Sequence, residues 1–317
     1  MNSLAIVIPA YKKTFLSQSL DSIAGQTCKD FTLYIGDDAS PYDLEDIIKQ
    51  YYCKINIVYK KFDTNLGLKD LVAHWERCVE MTKEPFIWLF SDDDIMEPQC
   101  VENYLSLPIE IRKSYVVHMD TKVLDSKSNI VVFSKPYPQY QNAKEFLYNK
   151  ISGKINICMA VEYVFCREIY ERYGGFMKYD LAWGSDFLTW LKFAENCNGI
   201  YSINEKDSFV VWRESNENIT PDYSSSIINR KMVAWVENAR DIKSFLLRND
   251  IYPRFWYVKF VFRVMKRRIN VLNIAAFWKI TRMFICKVGF PIEALSCFLY
   301  LVIIRFLYNL GFVNVNH

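Results

Sequence analysis

The first ninety residues alternate between short apolar runs and segments with helical spacing. The apolar runs, which are typical of buried strands, lie at 4–8, 31–35, 55–59 and 86–90. The segments between them repeat apolar side chains every three or four residues, which predicts helices at 14–25, 44–51 and 68–82. Strands that alternate with helices form βαβ units, so this half of the chain predicts an α/β fold with a parallel sheet.

Carboxylates follow two of these strands. Asp37 and Asp38 end the second strand, and Asp92, Asp93 and Asp94 end the fourth. Because the carboxyl ends of parallel strands lie at one edge of a sheet, where ligands bind in open α/β folds, these acids should meet there. Carboxylate oxygens suit Mg²⁺ or Mn²⁺ bridging to substrate phosphates. An acidic surface turn that caps the next helix is the simpler interpretation, but the convergence of two acidic strand ends favours a binding site.

Two nucleotide-binding classes are excluded by missing motifs. The first strand is not followed by G-x-G-x-x-G, and G-x-x-x-x-G-K-S/T is absent from the sequence. These glycine-rich loops are the phosphate-binding elements of dinucleotide oxidoreductases and P-loop enzymes. Neither class is expected here.

Five short motifs resemble, in order and spacing, those of family 2 glycosyltransferases. They are Ile6–Tyr11, Ser22-Ile23 with Gln26-Thr27, Asp37–Ser40, Asn65–Gly67 and Ser91–Asp94. The resemblance covers about residues 3–220. It implies the GT-A fold, which is Rossmann-like with a mostly parallel sheet flanked by helices. It also implies a nucleotide-sugar donor, a saccharide acceptor and Mg²⁺ or Mn²⁺ as cofactor.

The resemblance assigns one set of residues to the nucleotide. These nucleotide-side residues are Pro9, Ala10, Tyr11 and Asp38 around the base, with Asn65 and Gly67 nearby. Asn-Leu-Gly is also an ordinary turn sequence, so a purely structural role for Asn65 and Gly67 stays open.

A second set is assigned to the sugar and the metal. By resemblance, Asp92 faces the ribose or sugar, Asp93 binds the divalent metal on the diphosphate, and Asp94 is a further metal-side member. The usual family pattern is D-x-D-D, and Ser91 stands where its first Asp would be. The division of roles among the three acids is therefore left open.

Asp186 is the candidate for acid–base chemistry. It follows Gly184-Ser185 and opens a predicted helix, where Asp is a good N-cap. In the family, a Gly-Gly-Phe about ten residues before such a helix start marks the acceptor side, and the chain has this triplet at 174–176. The resemblance thus implies that Asp186 is the general base, a role compatible with capping.

Two further polar residues have alternative interpretations. Residues 210–220 resemble a family segment whose Arg is Arg213 and whose His is replaced by Ser215. Arg213 either contacts phosphate or supports the loop. His118 is flanked by apolar residues inside a predicted strand, 115–119, so a core histidine is favoured over a ligand.

The charge distribution predicts two parts with different partners. Residues 251–317 contain ten basic residues and one acid, a net charge of +9, whereas the first 250 residues have −6. We expect a glycosyltransferase domain at 1–225 and a helical region at 226–317. The basic amphipathic helix of that region has its charges at Lys259, Arg263, Lys266 and Arg267.

The apolar segment 288–313 is interrupted by Pro291, Glu293 and Arg305, and its longest charge-free run has 11 residues. A span needs roughly 20. In-plane attachment to an anionic membrane surface is therefore favoured over a tilted span, a hairpin or a buried dimer interface.

Nine cysteines form no CxxC pair, and Met1 is not followed by a cleavable signal sequence. These features favour reduced thiols and a cytoplasmic location on the inner face of the membrane.

Taken with these features, the resemblance implies an inverting glycosyltransferase of surface polysaccharide assembly. It would move a sugar from a UDP-sugar to a hydroxyl of a lipid-linked saccharide. A polyprenyl-phosphate glycosyltransferase and a non-catalytic nucleotide- or saccharide-binding membrane protein are the alternatives. No nucleic-acid partner is expected.

Overall fold

The computed structural model describes residues 3–125, 127, 129–205, 208–215, 217–219, 222, 224–252, 255–266, 272–310 and 312. The chain divides into two compact units. They are Met1–Lys178 with Ser185–Thr220, and Tyr179–Gly184 with Pro221–His317.

The described residues form twelve strands and twelve α-helices. The strands are β1 Leu4–Ala10, β2 Phe31–Asp37, β3 Ile57–Lys61, β4 Phe86–Leu89, β5 Ile95–Met96, β6 Val116–Met119, β7 Thr121–Leu124, β8 Ile130–Phe133, β9 Tyr140–Gln141, β10 Tyr163–Cys166, β11 Ile200–Ile203 and β12 Val210–Arg213. The helices are α1 Leu16–Ala24, α2 Glu45–Ile48, α3 Leu71–Val79, α4 Cys100–Ser106, α5 Ile109–Ser114, α6 Ala143–Ser152, α7 Arg167–Arg172, α8 Ser185–Glu195, α9 Ser225–Arg248, α10 Phe255–Lys266, α11 Ile274–Lys287 and α12 Pro291–Asn309.

An eight-stranded sheet in the order β3-β2-β1-β4-β10-β6-β11-β9 organises the first unit. The pairs among β3, β2, β1 and β4 are all parallel, whereas β10 is antiparallel to both β4 and β6. Strands β2 and β4 are buried along their whole length, which explains why β4 is a continuous apolar run and why β2 is mostly apolar from Phe31 to Ile35. The predicted α/β fold is confirmed, and four of the seven strand pairs in this sheet are parallel.

The three predicted N-terminal helices are present and cover the sheet. Helix α1 buries Leu16, Leu20 and Ile23, the positions expected from helical spacing. Helix α3 is shorter than predicted because Asp70 caps its start, accepting a hydrogen bond from Ala73 N at 2.9 Å.

A four-stranded sheet in the order β5-β12-β7-β8 completes the first unit. Strand β5 begins directly after Asp94, so the acidic triplet joins β4 of the large sheet to β5 of the small one. Strand β12, which pairs with β5, contains Arg213. Both ends of the acidic loop are therefore fixed by sheet hydrogen bonds.

The second unit is helical over α9–α12. Among the described residues, one helix, α12, is long and apolar enough to cross a membrane by length and composition. It exposes a stripe at helical spacing, which we call the apolar stripe: Ile292, Leu295, Leu299, Ile303, Phe306 and Leu310. The guanidinium of Arg305 contacts Leu272 O inside the unit and lies off this stripe. Arg267, predicted to extend the basic surface of α10, lies outside the described residues.

Candidate active site

The ends of three neighbouring strands form the base of the site. Strand β1 lies between β2 and β4, with Ala10 beside Asp37 and Val7 beside Leu89. The loops that follow the three strands therefore begin at one edge of the sheet. This is the convergence that the two acidic strand ends predicted.

Asp92 connects the acidic loop to the loop after β1. Its Oδ2 accepts hydrogen bonds from Tyr11 N at 2.8 Å and Lys12 N at 2.7 Å. Ser40 Oγ donates to Tyr11 O at 2.8 Å from the other side. The segment Pro9, Ala10 and Tyr11 is thus fixed between the ends of β2 and β4.

Asp93 has side-chain partners in place of backbone ones. Ser91 Oγ donates to its Oδ1 at 2.5 Å, and the ammonium of Lys12 forms an ion pair with its Oδ2. The same ammonium lies 3.4 Å from Asp92 Oδ1 and donates to Asn218 Oδ1 at 2.9 Å. Ser91, the departure from the family pattern, therefore orients Asp93.

Asp94 is held by the β12 strand. Its Oδ1 accepts a hydrogen bond from Arg213 N at 2.8 Å, and Arg213 Nε donates to Asp93 O at 3.1 Å. The guanidinium also reaches Gln18 Oε1 at 2.7 Å and lies 4.1 Å from the centroid of the Phe15 ring. Arg213 is fully buried, and these contacts support the acidic loop from below.

The acidic triplet is buried, unlike a surface turn. Its three side chains are 2–3% exposed, and the next helix begins only at Cys100, with Gln99 as its cap. Burial raises the pKa of Asp92 and of Asp94 above its ordinary value. Burial alone would lower the pKa of Lys12, but the charges of Asp92 and Asp93 outweigh it and raise that pKa.

Asp38 organises the loop predicted to lie near the nucleotide. Its two oxygens accept hydrogen bonds from Leu66 N and Gly67 N, each at 2.8 Å, and its Oδ1 pairs with Arg77. A Cβ at Gly67 would lie 2.7 Å from Asp38 Oδ2, so only glycine allows this approach. Asn65 Oδ1 accepts from Leu68 N at 2.9 Å and shapes the same turn.

Asp186 lies in the first turn of α8 and is not its N-cap, because the helix already begins at Ser185. Its Oδ1 accepts a hydrogen bond from Phe187 N at 2.7 Å. Burial raises the pKa of Asp186 to about 6; the charge of Glu162 adds to this rise and that of Lys150 opposes it. Such a carboxylate takes up a proton near neutral pH, as a general base must.

The position of Glu162 indicates where Asp186 lies with respect to the sheet. In the antiparallel β4–β10 pair Val164 lies beside Trp88, so the residues just before β10, Glu162 among them, lie towards the carboxyl end of β4. Trp88 Nε1 also donates to Val161 O at 2.8 Å. Glu162, whose charge acts on Asp186, thus lies at the carboxyl end of β4, where the acidic triplet begins.

His118 is a core residue. It is fully buried, its ring stacks on Tyr137 with a centroid distance of 3.7 Å, and its Nε2 lies 3.4 Å from Glu162 Oε2. Burial lowers the pKa of His118 to about 3 and raises that of Glu162 to about 8. His118 is therefore uncharged at pH 7, whereas Glu162 gains its charge as the pH rises through about 8, and its effect on Asp186 belongs to that range.

The sequence matches a known family over the region that contains the triplet. The family model described as glycosyl transferase family 2 matches residues 5–174, more than half of the chain. The chain belongs to glycosyl transferase family 2. The predicted family is thereby confirmed, and with it the assignment of the chain to a class of transferases.

Curated relatives agree with this membership. An uncharacterized glycosyltransferase of Rickettsia typhi is 26% identical over 200 residues, which cover 60% of this chain and 58% of the relative. One of Methanocaldococcus jannaschii is 26% identical over 152 residues, covering 46% and 51%. The matched region spans less than three fifths of the length of either relative.

Two solved structures share the fold of this chain. S. aureus TarS 1–349 in complex with UDP-GlcNAc is 14% identical, with 98% of this chain and 92% of that chain covered and a TM-score of 0.62. A mannosyltransferase of Pyrobaculum calidifontis in complex with GDP-Man and Mn²⁺ is 13% identical, covers 97% and 87%, and has a TM-score of 0.51. At these identities the likeness establishes the GT-A fold alone.

The donor set fits a metal that is shared with a ligand. Among the described residues, no group of three or more His, Cys, Asp or Glu side chains is arranged to hold a metal ion. Asp92 and Asp94 accept from backbone N–H groups, whereas Asp93 Oδ2 is paired with a flexible lysine. One exchangeable carboxylate suits Mg²⁺ or Mn²⁺, which complete their coordination with substrate phosphates and water.

Three residues of this region were missed by the sequence analysis: Lys12, Arg77 and Glu162. Lys12 directly follows the Pro9–Tyr11 motif. A cation in a loop expected to face three acids could have predicted an ion pair with one of them. Arg77 and Glu162 belong to no motif in the sequence. Their roles depend on tertiary partners, Asp38 for the arginine and Asp186 for the glutamate.

Proposed function

We propose that this protein is an inverting glycosyltransferase that moves a sugar from a UDP-sugar to a hydroxyl of a saccharide acceptor. The supporting observation is that two features lie at the carboxyl end of β4: the acidic triplet, and the start of β10, where Tyr163 stacks on Trp190 of the helix whose first turn contains Asp186. Family membership supports the reaction class. The fold shared with TarS, whose structure contains UDP-GlcNAc, supports a nucleotide-sugar donor.

The nucleotide half of the proposed site is formed by the loops after β1, β2 and β4. We assign the base to the surface made by Pro9, Ala10, Tyr11, Asp38, Asn65 and Gly67. Asp38 contributes mainly by holding the Leu66–Gly67 turn, because both of its oxygens have protein partners. Asp92 faces the ribose or sugar and fixes Tyr11 through the backbone.

The metal half of the proposed site centres on Asp93. A bound Mg²⁺ or Mn²⁺ would neutralise the charge that develops on the leaving diphosphate. Asp93 would hold the ion, and Asp94, the further metal-side residue, keeps the loop on β12 through Arg213 N. Arg213 acts as a support, since its guanidinium contacts Asp93 O and Gln18.

Asp186 acts as the general base of the transfer. The acceptor oxygen attacks the anomeric carbon in line with the diphosphate, and the bond from that carbon to the diphosphate oxygen breaks. The bonding pair leaves with the diphosphate, and the acceptor proton goes to Asp186. A pKa of about 6 keeps this carboxylate ionised at pH 7 while leaving it basic enough to accept the proton.

A donor screen tests this function. Nucleotide sugars and nucleoside diphosphates are added with and without Mn²⁺, and thermal stabilisation is recorded, followed by product analysis with saccharide acceptors. A UDP-sugar should stabilise the protein only with metal, and the product should have inverted anomeric configuration. If no nucleotide stabilises the protein under either condition, the proposal is wrong. If Asp186→Asn leaves transfer unchanged, the acceptor is a lipid phosphate, which needs no base.

The helical unit supports attachment to an anionic, cytoplasmic membrane face. We propose that the apolar stripe of α12 enters the interface, because Arg305 is directed to Leu272 and no charge interrupts the stripe. Basic residues of the preceding helices supply attraction to anionic lipids. They are Lys259, Arg263 and Lys266 on α10 and Lys279, Arg282 and Lys287 on α11. Such attachment would suit an acceptor linked to a membrane lipid, as in surface polysaccharide assembly.

Vesicle binding tests this attachment. Binding should increase with the fraction of anionic lipid and decrease, without vanishing, at high salt. Leu299→Gln with Phe306→Gln should weaken binding to all vesicles, whereas Lys259→Gln with Arg263→Gln should weaken binding to anionic vesicles alone. Extraction only by detergent would indicate a span, and salt-independent binding would show that charge makes no contribution.

A further inference from the structure

Lys12 covers the carboxylate that would hold the metal. Its ammonium is paired with Asp93 Oδ2 and lies 3.4 Å from Asp92 Oδ1. The lysine side chain is 22% exposed, whereas the two aspartate side chains behind it are 3% exposed. A cation that approaches Asp93 from solvent therefore meets the Lys12 ammonium first.

The ammonium and a divalent ion cannot both occupy this position. Each would lie within contact distance of Asp93 Oδ2, so their like charges would repel strongly across a poorly solvated gap. Of the Lys12 and Asp93 side chains, Lys12 is the one that can move away more easily. Its four-carbon stem is flexible, whereas the Asp93 main chain is fixed by Arg213 Nε and Ser91 Oγ orients the carboxylate.

A displaced Lys12 would remain close to the donor. Its main-chain N–H is hydrogen-bonded to Asp92, so the residue stays beside the acidic loop whatever its side chain does. The metal brings a diphosphate to this loop, and a diphosphate is a strong acceptor for an ammonium group. The side chain thus has the aspartates of the acidic loop as anionic partners before donor binding and the diphosphate after it.

We propose that Lys12 is an exchangeable counter-ion of the acidic loop: it neutralises Asp93 in the free protein, competes with the divalent metal, and moves to the donor diphosphate when metal and donor bind together. This inference rests on the proposed function for the identity of the donor. It assigns Lys12 to donor binding, a role that no motif gives it. It also explains why three buried carboxylates are tolerated in the free protein.

The exchange predicts opposite changes in two affinities. Lys12→Met removes the competitor, so the affinity for Mn²⁺ alone should rise by about tenfold or more, the usual scale for a charged hydrogen bond. At saturating Mn²⁺, the same variant should bind UDP more weakly, by a similar factor, because the diphosphate loses its ammonium partner. Lys13→Met, the same charge change at an exposed neighbour, should alter neither affinity, and Lys12→Arg should keep Mn²⁺ binding weak.

The measurements are Mn²⁺ titrations followed by electron paramagnetic resonance and UDP titrations followed by calorimetry. Unchanged Mn²⁺ affinity in a folded Lys12→Met variant would overturn the proposal. A second measurement uses the wild-type chain and does not depend on that variant folding. The rate at which an amine-reactive reagent labels Lys12, read by mass spectrometry, should rise with Mn²⁺ alone and fall when UDP is added.

If the labelling rate of Lys12 does not change when Mn²⁺ is added, the proposed exchange is also wrong. The Mn²⁺ arm needs no nucleotide, so its failure is distinguishable from failure of the proposed function. If Mn²⁺ exposes Lys12 but no nucleotide binds, the counter-ion exchange stands and the donor assignment is wrong.

Discussion

Asp186→Asn should make the protein less active and more stable. The substitution keeps the size of the side chain and removes its charge. If Asp186 is the proposed general base, it contributes a factor of about 10²–10⁴ to the rate, so transfer should fall by that amount. The stability effect has the opposite sign, because the partly buried position of the carboxylate raises its pKa.

The magnitude follows from the shift in pKa. The pKa of Asp186 is raised from an ordinary value of 3.8 to about 6. A shift of about 2 units at 1.36 kcal/mol per unit corresponds to about 3 kcal/mol. Because the pKa of Asp186 is higher in the folded than in the unfolded state, proton binding by Asp186 stabilises the folded wild type. This stabilisation is fully present below about pH 4 and is lost as the pH rises through 6. At pH 8 the free energy of unfolding of the Asn variant should therefore exceed that of the wild type by up to about 3 kcal/mol.

Urea denaturation and transfer kinetics between pH 5 and 8 test both parts. The stability advantage of the variant should shrink as the pH falls, and the wild-type kcat/KM should fall below pH 6 while that of the variant stays flat. Asp180→Asn is the control, because Asp180 is exposed and Arg230 lowers its pKa. A variant of Asp186 that is less stable at pH 8 and fully active would refute the reasoning and leave this residue a structural role.

Three further substitutions have distinct expected outcomes. Asp93→Asn should abolish transfer and remove the Mn²⁺ dependence of UDP binding in calorimetry while the circular dichroism spectrum is unchanged; full wild-type activity in excess chelator would contradict this. Gly67→Ala should lower the free energy of unfolding by roughly 1–3 kcal/mol, because its Cβ would lie 2.7 Å from Asp38 Oδ2, and urea melts that match wild type would show that the turn adapts. Arg213→Met should cost about 3 kcal/mol of stability through the lost contacts to Asp93 O and Gln18. If instead only the affinity for UDP falls, Arg213 binds phosphate.

The parts of the fold that the sequence predicts are those that a local pattern determines. Strands β2 and β4 are buried along their whole length, so their residues are mostly apolar and a short stretch of sequence is enough to predict them. Strand β5 has two residues, and β10 joins the sheet antiparallel to its neighbours. Such elements exist through long-range pairing, and no local spacing reveals them.

The candidate site likewise has a part that the sequence predicts and a part that it does not. The position of the acids at strand ends is visible in the sequence, because the apolar run stops where they begin. The separate roles of the three acids are not visible in the sequence, because Asp92, Asp93 and Asp94 are chemically identical. Backbone N–H groups of the β1 loop hold the first, a lysine pairs with the second, and Arg213 N holds the third. Only tertiary partners distinguish them.

The attachment of the acidic loop to two different sheets has a consequence for protein engineering. Strand β4 fixes one end of the loop, β5 fixes the other, and the β12 main chain adds a third point of support through Arg213 N. The path of the loop is therefore set by its flanks and not by the side chain of Asp93. Libraries that vary this single position with His, Cys or Glu should retain a folded scaffold, which makes metal preference a property that can be redesigned separately from the fold.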